Sequence, residues 1–359
     1  MDIKNRRIWQ QSCGDTDRNY SKVCLEWDVI LNGPGSYGKL PEAFDKLNRE
    51  LSSRKITDLR RFSSEMSEGD LVILRIGTKT AFGIGIIVGD YGWSDLFRDI
   101  DGWNIQHYRR VKWIKKFDSP KKFDTYFFKQ GDTTQELRQK DQKILRWLQD
   151  EVYSINVEDV SVRELPFEDG YGQVSTDEIS EYLFAKGVDS TSINSLMSQI
   201  NELIRIAKWY QKFNKPSEHE TVAYLVIPLL RALGWTPQKM AIEWNNVDLA
   251  LFKSLPRKDE TLQIVVEAKQ KDNSCLTAIS QAENYAKKRR GCERLIVTDG
   301  LRYGIYIKNE DVFSLYSYFN LTDLRSNHHI YGCFGAKESI YAMTPEWDEK
   351  HNNAFRADV

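Results

Sequence analysis

The stretch Leu262-Gln-Ile-Val-Val-Glu-Ala-Lys269 ends an apolar run with two charged residues. Apolar runs of this length are typical of strands buried inside a sheet. Because successive strand residues point to opposite faces, Glu267 and Lys269 are expected to project from the same face. A charge at the end of a buried strand needs compensation, which either a structural ion pair or a functional site would supply.

A second apolar stretch, Val247-Asp-Leu-Ala-Leu-Phe252, carries one acid, Asp248, within it. Alternation puts Asp248 on the face opposite to Val247 and Leu249. The segment that joins the two stretches is long enough for a hairpin with a polar loop, which would bring Asp248 close to Glu267. Two acids and a lysine at the end of a small sheet can hold a divalent metal beside a phosphate. These residues therefore predict the cleavage of phosphodiester bonds.

Two predicted helices carry further candidates. Glu218 starts the helix Ser217–Leu233 and continues its apolar stripe, whereas Glu220 lies on another face and is kept as the alternative. A glutamate in a first turn can also simply favour the helix dipole. Gln281 and Tyr285, spaced i and i+4, would share one face of a later helix and orient a water or a phosphate. An ordinary amphipathic helix is the alternative explanation for that pair.

Six segments between residues 217 and 306 resemble the PD-(D/E)xK nuclease superfamily. Within it, they look most like the amino-terminal nuclease domain of type I restriction motor subunits and its stand-alone relatives. One departure is Val247, where that family commonly has proline or arginine. The matching segments are Ser217–Thr221, Ile227–Trp235, Val247–Phe252, Val265–Lys269, Gln281–Ala286 and Val297–Tyr306.

The resemblance implies a role for each matched residue. Asp248, Glu267 and the Ala268 carbonyl would ligate Mg²⁺, for which Mn²⁺ can substitute. Lys269 would position the attacking water and offset the developing charge. The accessory catalytic residues that it implies are Glu218, Gln281 and Tyr285.

The amino-terminal part of the chain is predicted to be rich in strands. The segments Leu40–Ser52 and Thr134–Val152 have helical spacing. The candidate strands are Lys22–Leu31, Asp70–Ile76, Ala81–Gly89 and Tyr108–Phe117.

This part resembles the PUA-like group that contains the EVE and YTH domains. The resemblance implies a β-barrel with helices, in which an extruded modified base is held between aromatic rings. The matching segments are Val23–Gly35, Gly69–Leu74, Phe82–Gly89, Trp103 and Val111–Trp113.

For that aromatic cage, Trp27 and Trp103 are the first candidates and Trp93 the next. Asp28 or Asn32 would hydrogen-bond the edge of the base. For each tryptophan, burial in the core is the alternative, because large aromatic side chains are usually well buried.

Charge is unevenly distributed along a chain whose net charge is only −1. Eight Lys or Arg and two acids lie between His107 and Lys129, and ten acids with one arginine lie between Asp150 and Glu181. Such segregation allows one basic face, although each run can equally be an ordinary solvated surface. Residues Arg109, Arg110 and Lys112 are the candidates for contact with the DNA backbone.

The length predicts two domains, or three, and the order of the predicted strands and helices, with the two resemblances, predicts a two-domain protein of the α+β or α/β class. The predicted division is a PUA-like reader domain at 1–150, an acidic linker and helical arm at 151–213, and a nuclease domain with a mixed sheet at 214–359. No apolar stretch approaches the ~20 residues of a membrane span. Five scattered cysteines fit a reducing cytoplasm and argue against a zinc site. No G-x-x-x-x-G-K-[ST] loop is present, so ATP is not expected as a cofactor.

Together these expectations describe a modification-dependent restriction endonuclease that would serve in phage defence. Its substrate would be double-stranded DNA carrying a modified base, and cleavage of both strands favours a homodimer. Three alternatives remain open: a modified-nucleic-acid binding protein with an inactive nuclease fold, a ribonuclease that reads modified RNA, and a repair nuclease outside restriction.

Overall fold

The structure, a computed structural model, describes residues 3, 5–15, 17–155, 161–167, 172–213, 215–287 and 289–347. The chain forms two compact units, Met1–Glu168 and Asp169–Val359. Parts of the predicted acidic linker, at 156–160 and 168–171, lie outside the described residues. Within those that are described, no helix is both long and apolar enough to cross a membrane.

The first unit combines one curled sheet with four α-helices among its described residues. Its helices are α1 (Ser21–Glu26), α2 (Phe44–Glu50), α3 (Ser53–Arg60) and α4 (Gln142–Val152). A π-helical turn at Arg61–Glu65 continues α3. The strands, in chain order, are β1 (Ile8–Ser12), β2 (Val29–Asn32), β3 (Leu71–Ile76), β4 (Thr80–Trp93), β5 (His107–Lys122) and β6 (Thr134–Leu137).

The sheet of the first unit has the order β2-β5-β4-β3-β1-β6. Strand β1 lies inside it: β1 pairs in parallel with β3, with Ile8 opposite Leu71, and antiparallel with β6. One apolar face packs against α4, whose buried stripe is Ile144, Leu148 and Val152.

Two predicted elements of this unit are wrong. The predicted strand Lys22–Leu31 is instead α1 followed by β2, because the chain turns at Asp28, whose φ of 52° ends the helix. The predicted helix Thr134–Val152 divides into β6 and α4, since its first residues pair with β1.

The second unit is a mixed sheet with helices on both faces. Its helices are α5 (Thr176–Ala185), α6 (Ser190–Lys212), α7 (Glu218–Thr221), α8 (Ile227–Ala232), α9 (Ile279–Ala286) and α10 (Ala336–Ala342). Its strands are β7 (Met240–Trp244), β8 (Val247–Phe252), β9 (Leu262–Ala268), β10 (Arg294–Thr298), β11 (Arg302–Asn309), β12 (Val312–Asn320), β13 (Asn327–His328) and β14 (Cys333–Phe334).

The predicted mixed sheet is present, with the order β13-β14-β12-β11-β10-β9-β8-β7. At its centre β9 pairs antiparallel with β8 and in parallel with β10. On β9, Ile264 and Val266 belong to the core that contains α6, whereas Val265 belongs to the core that contains α9. This alternation fixes which face receives Glu267 and Lys269: the face covered by α9.

The helical arm predicted within residues 151–213 corresponds mainly to α6. This helix packs in the core of the second unit. Its apolar stripe, including Leu196, Ile200 and Leu203, is fully buried there. Asp189 caps its start, because its carboxylate accepts a hydrogen bond from the Thr191 N–H at 2.6 Å.

The helix that follows α6 is continuous from α7 through a π-helical turn at Val222–Val226 into α8. Pro228 has no N–H to donate to the Tyr224 carbonyl one turn earlier, which accounts for the wider turn at that point. The widened turn keeps Val222, Leu225 and Leu229 buried. It leaves Tyr224 exposed.

Candidate active site and base-binding pocket

The catalytic candidates of the second unit meet where β8 begins and the antiparallel strand β9 ends. Leu249 lies opposite Val266 in the antiparallel pair, so the register brings Asp248 level with Glu267. The Asp248 Oδ2 accepts a hydrogen bond from the Ala268 N–H at 2.7 Å. That bond fixes one carboxylate oxygen of Asp248 against the end of β9.

Glu267 is the most constrained group of this site. Only 1 % of its side chain is exposed, and its Oε1 accepts a hydrogen bond from Lys269 Nζ at 3.0 Å. The other oxygen, Oε2, is buried and has no hydrogen-bond partner among the described residues. Burial, followed by the negative charge of Asp248, raises the pKa of Glu267 to about 7, although Lys269 opposes the shift.

Lys269 connects the strand to helix α9. Its Nζ also donates to Gln281 Oε1 at 3.1 Å, and Gln281 Nε2 lies 3.5 Å from the Tyr285 hydroxyl oxygen. Polar contacts thus link four side chains in sequence, Glu267, Lys269, Gln281 and Tyr285. The i, i+4 spacing in α9 is what aligns the last two.

The two glutamates at the start of α7 have different environments. Glu220 completes a capping box with Ser217, and the hydrogen bonds from Ser217 lower the pKa of that carboxyl. Glu218 is exposed, and its charge is among the causes that raise the pKa of Glu267. The charge of Glu218 therefore acts on the site, whereas Glu220 stabilises the amino-terminal end of α7.

Thr221 holds the start of α7 in place, a role that no pattern in the sequence predicts. Its buried hydroxyl accepts a hydrogen bond from the Lys271 N–H at 3.1 Å and donates to the Ser217 carbonyl at 2.9 Å. Gln270 Nε2 donates to the Pro216 carbonyl at 2.7 Å. The residues just after Lys269 are thus tied directly to the first turn of α7.

The donors of this site suit a hard divalent cation. A buried carboxylate oxygen without a partner, beside a second carboxylate, is an arrangement that positive charge would stabilise. No group of three or more His, Cys, Asp or Glu side chains within the described ranges is arranged to hold a metal ion. The fit to a metal therefore rests on Asp248 and Glu267, and backbone and water oxygens would have to complete the coordination shell.

The first unit contains a cavity of about 320 Å³. Two of the predicted base-binding residues line it, the cage candidate Trp103 and the base-edge candidate Asn32, together with Tyr20 and Lys55. The remaining wall comes from turn residues and one threonine: Gly33, Pro34, Gly102, Asn104, Ile105 and Thr133.

The aromatic side of this cavity is built around Trp103. Tyr20 meets the Trp103 ring edge-on, with 6.0 Å between ring centroids. The guanidinium carbon of Arg18 lies 4.9 Å from the centroid of the same ring. Sequence reasoning missed Tyr20 and Arg18, which reach Trp103 only because the β1–α1 segment folds beside the β4–β5 loop.

The polar side of the cavity is a closed hydrogen-bond network. Asn32 Oδ1 accepts from Lys55 Nζ at 2.9 Å, and Asn32 Nδ2 donates to Asp58 at 3.3 Å and to Thr134 at 3.0 Å. Lys55 Nζ also donates to the buried Asp58 carboxylate at 2.6 Å. Asn32 is therefore held in place by its neighbours, and Lys55 is the charged group at the wall.

The remaining base-binding candidates do not line this cavity. Trp27 is 6 % exposed, and the guanidinium carbon of Arg163 lies 3.8 Å from the centroid of its ring. Asp28 accepts hydrogen bonds from Lys116 Nζ and from the Arg163 N–H. Trp93 donates its indole N–H to the Gly35 carbonyl at 2.8 Å.

The three candidates for DNA-backbone contact lie on β5 and differ in exposure. Arg109 is buried and donates to the carbonyls of Phe62 and Ser63, and burial lowers its pKa. Arg110, which is half-buried, donates to the Arg163 carbonyl. Lys112 is also half-buried. Strand alternation puts Arg110 and Lys112 together on the face opposite to Arg109.

Comparison with known proteins gives a family match for part of the chain. Residues 9–138 match a family described as a domain of unknown function (DUF8426). That stretch runs from β1 to the end of β6. No curated protein matches the chain.

Solved structures with similarity to the chain include two of the Mmi1 YTH domain. These are 14 % and 15 % identical, cover 41 % of this chain each and 97 % and 77 % of their own, and both have a TM-score of 0.23. A third is described as a fragment of an HsdR subunit of a type I restriction enzyme from Vibrio vulnificus YJ016. It is 15 % identical, with a TM-score of 0.20, and the match covers 36 % of this chain and a quarter (25 %) of that one. At TM-scores this low, none of the three determines the fold or the function of the chain.

Proposed function

We propose that this chain is a modification-dependent DNA endonuclease. The second unit would hydrolyse the backbone at the Asp248, Glu267 and Lys269 site, and the first, PUA-like unit would hold a modified base in the Trp103 cavity. The observation that carries the proposal is the buried Glu267 Oε2, which has no hydrogen-bond partner among the described residues and lies beside Asp248, while Lys269 is hydrogen-bonded to the other oxygen of Glu267.

The residues of the site would have two roles, binding of the metal ion and stabilisation of the charge that develops on the phosphate. Asp248, Glu267 and the Ala268 carbonyl would hold Mg²⁺ or Mn²⁺. The bound ion would supply positive charge to the scissile phosphate and acidify the attacking water. Lys269, held by Glu267 and Gln281, would direct its ammonium group at the phosphate oxygen on which charge develops.

Glu267 links cation binding to pH. A pKa of about 7 means that this carboxyl carries a proton for part of the time at neutral pH. A cation binds the ionised form, so binding would release a proton. The affinity for the cation is therefore expected to rise as the pH rises through about 7.

The cavity of the first unit supports the reader half of the proposal. Extruding a base costs a few kcal/mol, and stacking on an aromatic ring recovers ~1–3 kcal/mol. Trp103 offers the ring, and Lys55 places a positive charge at the wall of a 320 Å³ cavity. A homodimer would supply the two active sites that a double-strand break requires.

The test is cleavage of matched DNA substrates that differ only in the modified base, with Mg²⁺ present. The substrates are unmodified DNA and DNA with 5-methylcytosine, 5-hydroxymethylcytosine, glucosylated hydroxymethylcytosine or N6-methyladenine, with modified RNA as a competitor. Preferential cutting of one modified DNA is the expected result. Equal cutting of every DNA would remove the reader function, and selective binding without cutting would leave only a modified-nucleic-acid binding protein. Preference for RNA would reassign the substrate.

A further inference from the structure

An exposed group of aromatic side chains lies at the end of α6 and on the π-helical turn. Trp209, Phe213 and Tyr224 are 52 %, 59 % and 54 % exposed. Trp209 lies 5.7 Å from Phe213 and 5.2 Å from Tyr210, measured between ring centroids. Tyr224 and Glu220 contribute to raising the pKa of Tyr210, after burial, which places both beside it. We call Trp209, Tyr210, Phe213 and Tyr224 the aromatic shelf.

Lysines surround the aromatic shelf. Lys212 Nζ lies 5.3 Å from the centroid of the Phe213 ring, and Lys215 is exposed and donates to Asn273 at 3.0 Å. The acids nearby are already engaged. Glu220 belongs to the capping box, and Asp272 pairs with Lys271 at 2.5 Å. Neither Lys212 nor Lys215 forms an ion pair with a carboxylate among the described residues, so both ammonium groups are available to a ligand on this surface.

The aromatic shelf adjoins the segment that follows the catalytic strand β9. A cavity of about 300 Å³ is lined by Tyr210, Phe213 and Lys215 and also by Lys271 and Asp272. Lys271 follows Lys269 by two residues, so the cavity borders the segment that leads away from the catalytic lysine.

We propose that the aromatic shelf binds unpaired nucleotides of the nucleic-acid substrate next to the cleavage site. Bases would stack on the exposed rings of Trp209 and Phe213, and Lys212 and Lys215 would contact the phosphates. Exposed rings with interspersed lysines are the combination by which proteins hold single strands regardless of sequence. The inference rests on the proposed nuclease function for its location but has a binding test of its own.

The experiment measures binding of fluorescein-labelled oligothymidylate, and of a matching duplex, to the full chain in buffer without divalent cations. Trp209→Ala and Phe213→Ala are each expected to weaken single-strand binding by about 5- to 150-fold. Trp209→Phe keeps a stacking ring and should bind nearly as the wild type. Phe184→Ala is the matched control, because Phe184 is 64 % exposed on α5 of the same unit. Thermal unfolding of every variant verifies that it is folded.

The role of Lys212 and Lys215 is tested separately, by the salt dependence of the affinity. Replacing Lys212 and Lys215 together by alanine should flatten the dependence of log affinity on log salt by about 0.7 for each phosphate that the variant no longer neutralises. An unchanged salt slope would remove the phosphate-binding role of the two lysines from the proposal.

The binding measurements distinguish failure of the aromatic-shelf proposal from failure of the nuclease proposal. Wild-type binding by both Trp209→Ala and Phe213→Ala overturns the shelf, even if Mg²⁺-dependent cleavage is found. Loss of self-association in those variants, with unchanged nucleic-acid binding, also overturns it, because the surface would then contact a second copy. Weakened single-strand binding supports the shelf even where no DNA is cut, in which case the nuclease proposal fails alone.

Discussion

Replacing Glu267 by glutamine tests whether a buried carboxylate destabilises the site when no cation is present. The change keeps the size of the side chain and an acceptor for Lys269 Nζ, and it removes the titrating group. The folded-state pKa is about 7 against an ordinary value of 4.5. That difference of about 2.5 pH units, at ~1.36 kcal/mol per unit, corresponds to roughly 3 kcal/mol.

The sign follows from which state binds the proton more tightly. Below pH 4.5 the carboxyl is protonated in both states, so it contributes no difference. As the pH rises to about 7, the unfolded chain ionises first, and the native wild type loses stability relative to Glu267→Gln. Above about pH 7 the difference stays constant at roughly 3 kcal/mol in favour of the variant.

Hydrogen exchange of the β9 peptide in the full chain measures this difference locally. Comparing variant and wild type at the same pH cancels the intrinsic pH dependence of exchange. Adding Mg²⁺ should protect β9 in the wild type and leave the variant unchanged. Glu260→Gln, an exposed carboxylate just before β9, is the control. If the difference between Glu267→Gln and the wild type were equal at pH 4 and pH 8, the argument from burial would be refuted.

Four further outcomes are expected. Lys269→Ala should abolish cleavage while DNA binding in a gel-shift assay persists, and wild-type cutting by that variant would exclude a catalytic role. Trp103→Ala should weaken the binding of DNA with a modified base by about 1–3 kcal/mol, measured by competition with unmodified DNA. Trp27→Ala is instead expected to lower the free energy of unfolding, because Arg163 covers the ring of Trp27. Asp58→Asn should destabilise the first unit by about 3 kcal/mol in urea unfolding, since the Asp58 carboxylate is buried and pairs with the half-buried Lys55. A loss below ~1 kcal/mol would contradict this.

The second unit was the more predictable half because its signals are local. The apolar run of β9 and the single acid within β8 define two strands, and strand alternation then aligns their charges without knowledge of the partner strands. The observed β9, Leu262–Ala268, covers the predicted apolar run. The i, i+4 spacing of Gln281 and Tyr285 likewise needs only the helix period.

The first unit was less predictable because its elements depend on distant partners. The segment from Thr134 was predicted to start a helix, yet its first residues pair with β1, far away in sequence. The aromatic cavity depends on the meeting of Tyr20 with Trp103, which no periodicity reveals. Trp27 and Trp103 looked equivalent in the sequence, and the structure distinguishes them because Trp103 lines the cavity whereas Trp27 is buried beneath Arg163.

The position of β1 between β3 and β6 has a consequence for synthesis on the ribosome. Of the strands in this sheet, β1 emerges first, and it can pair with β3 only after residues up to 76 have followed, and with β6 only after residues up to 137. Until then, Ile8 and Trp9, both buried in the finished sheet, face solvent or chaperones. Because contacts between such distant segments also slow folding, completion of the first sheet is expected to be late in the biogenesis of this protein. A pulse-chase experiment with stalled nascent chains would show protease resistance of the β1 segment only after β6 has left the exit tunnel.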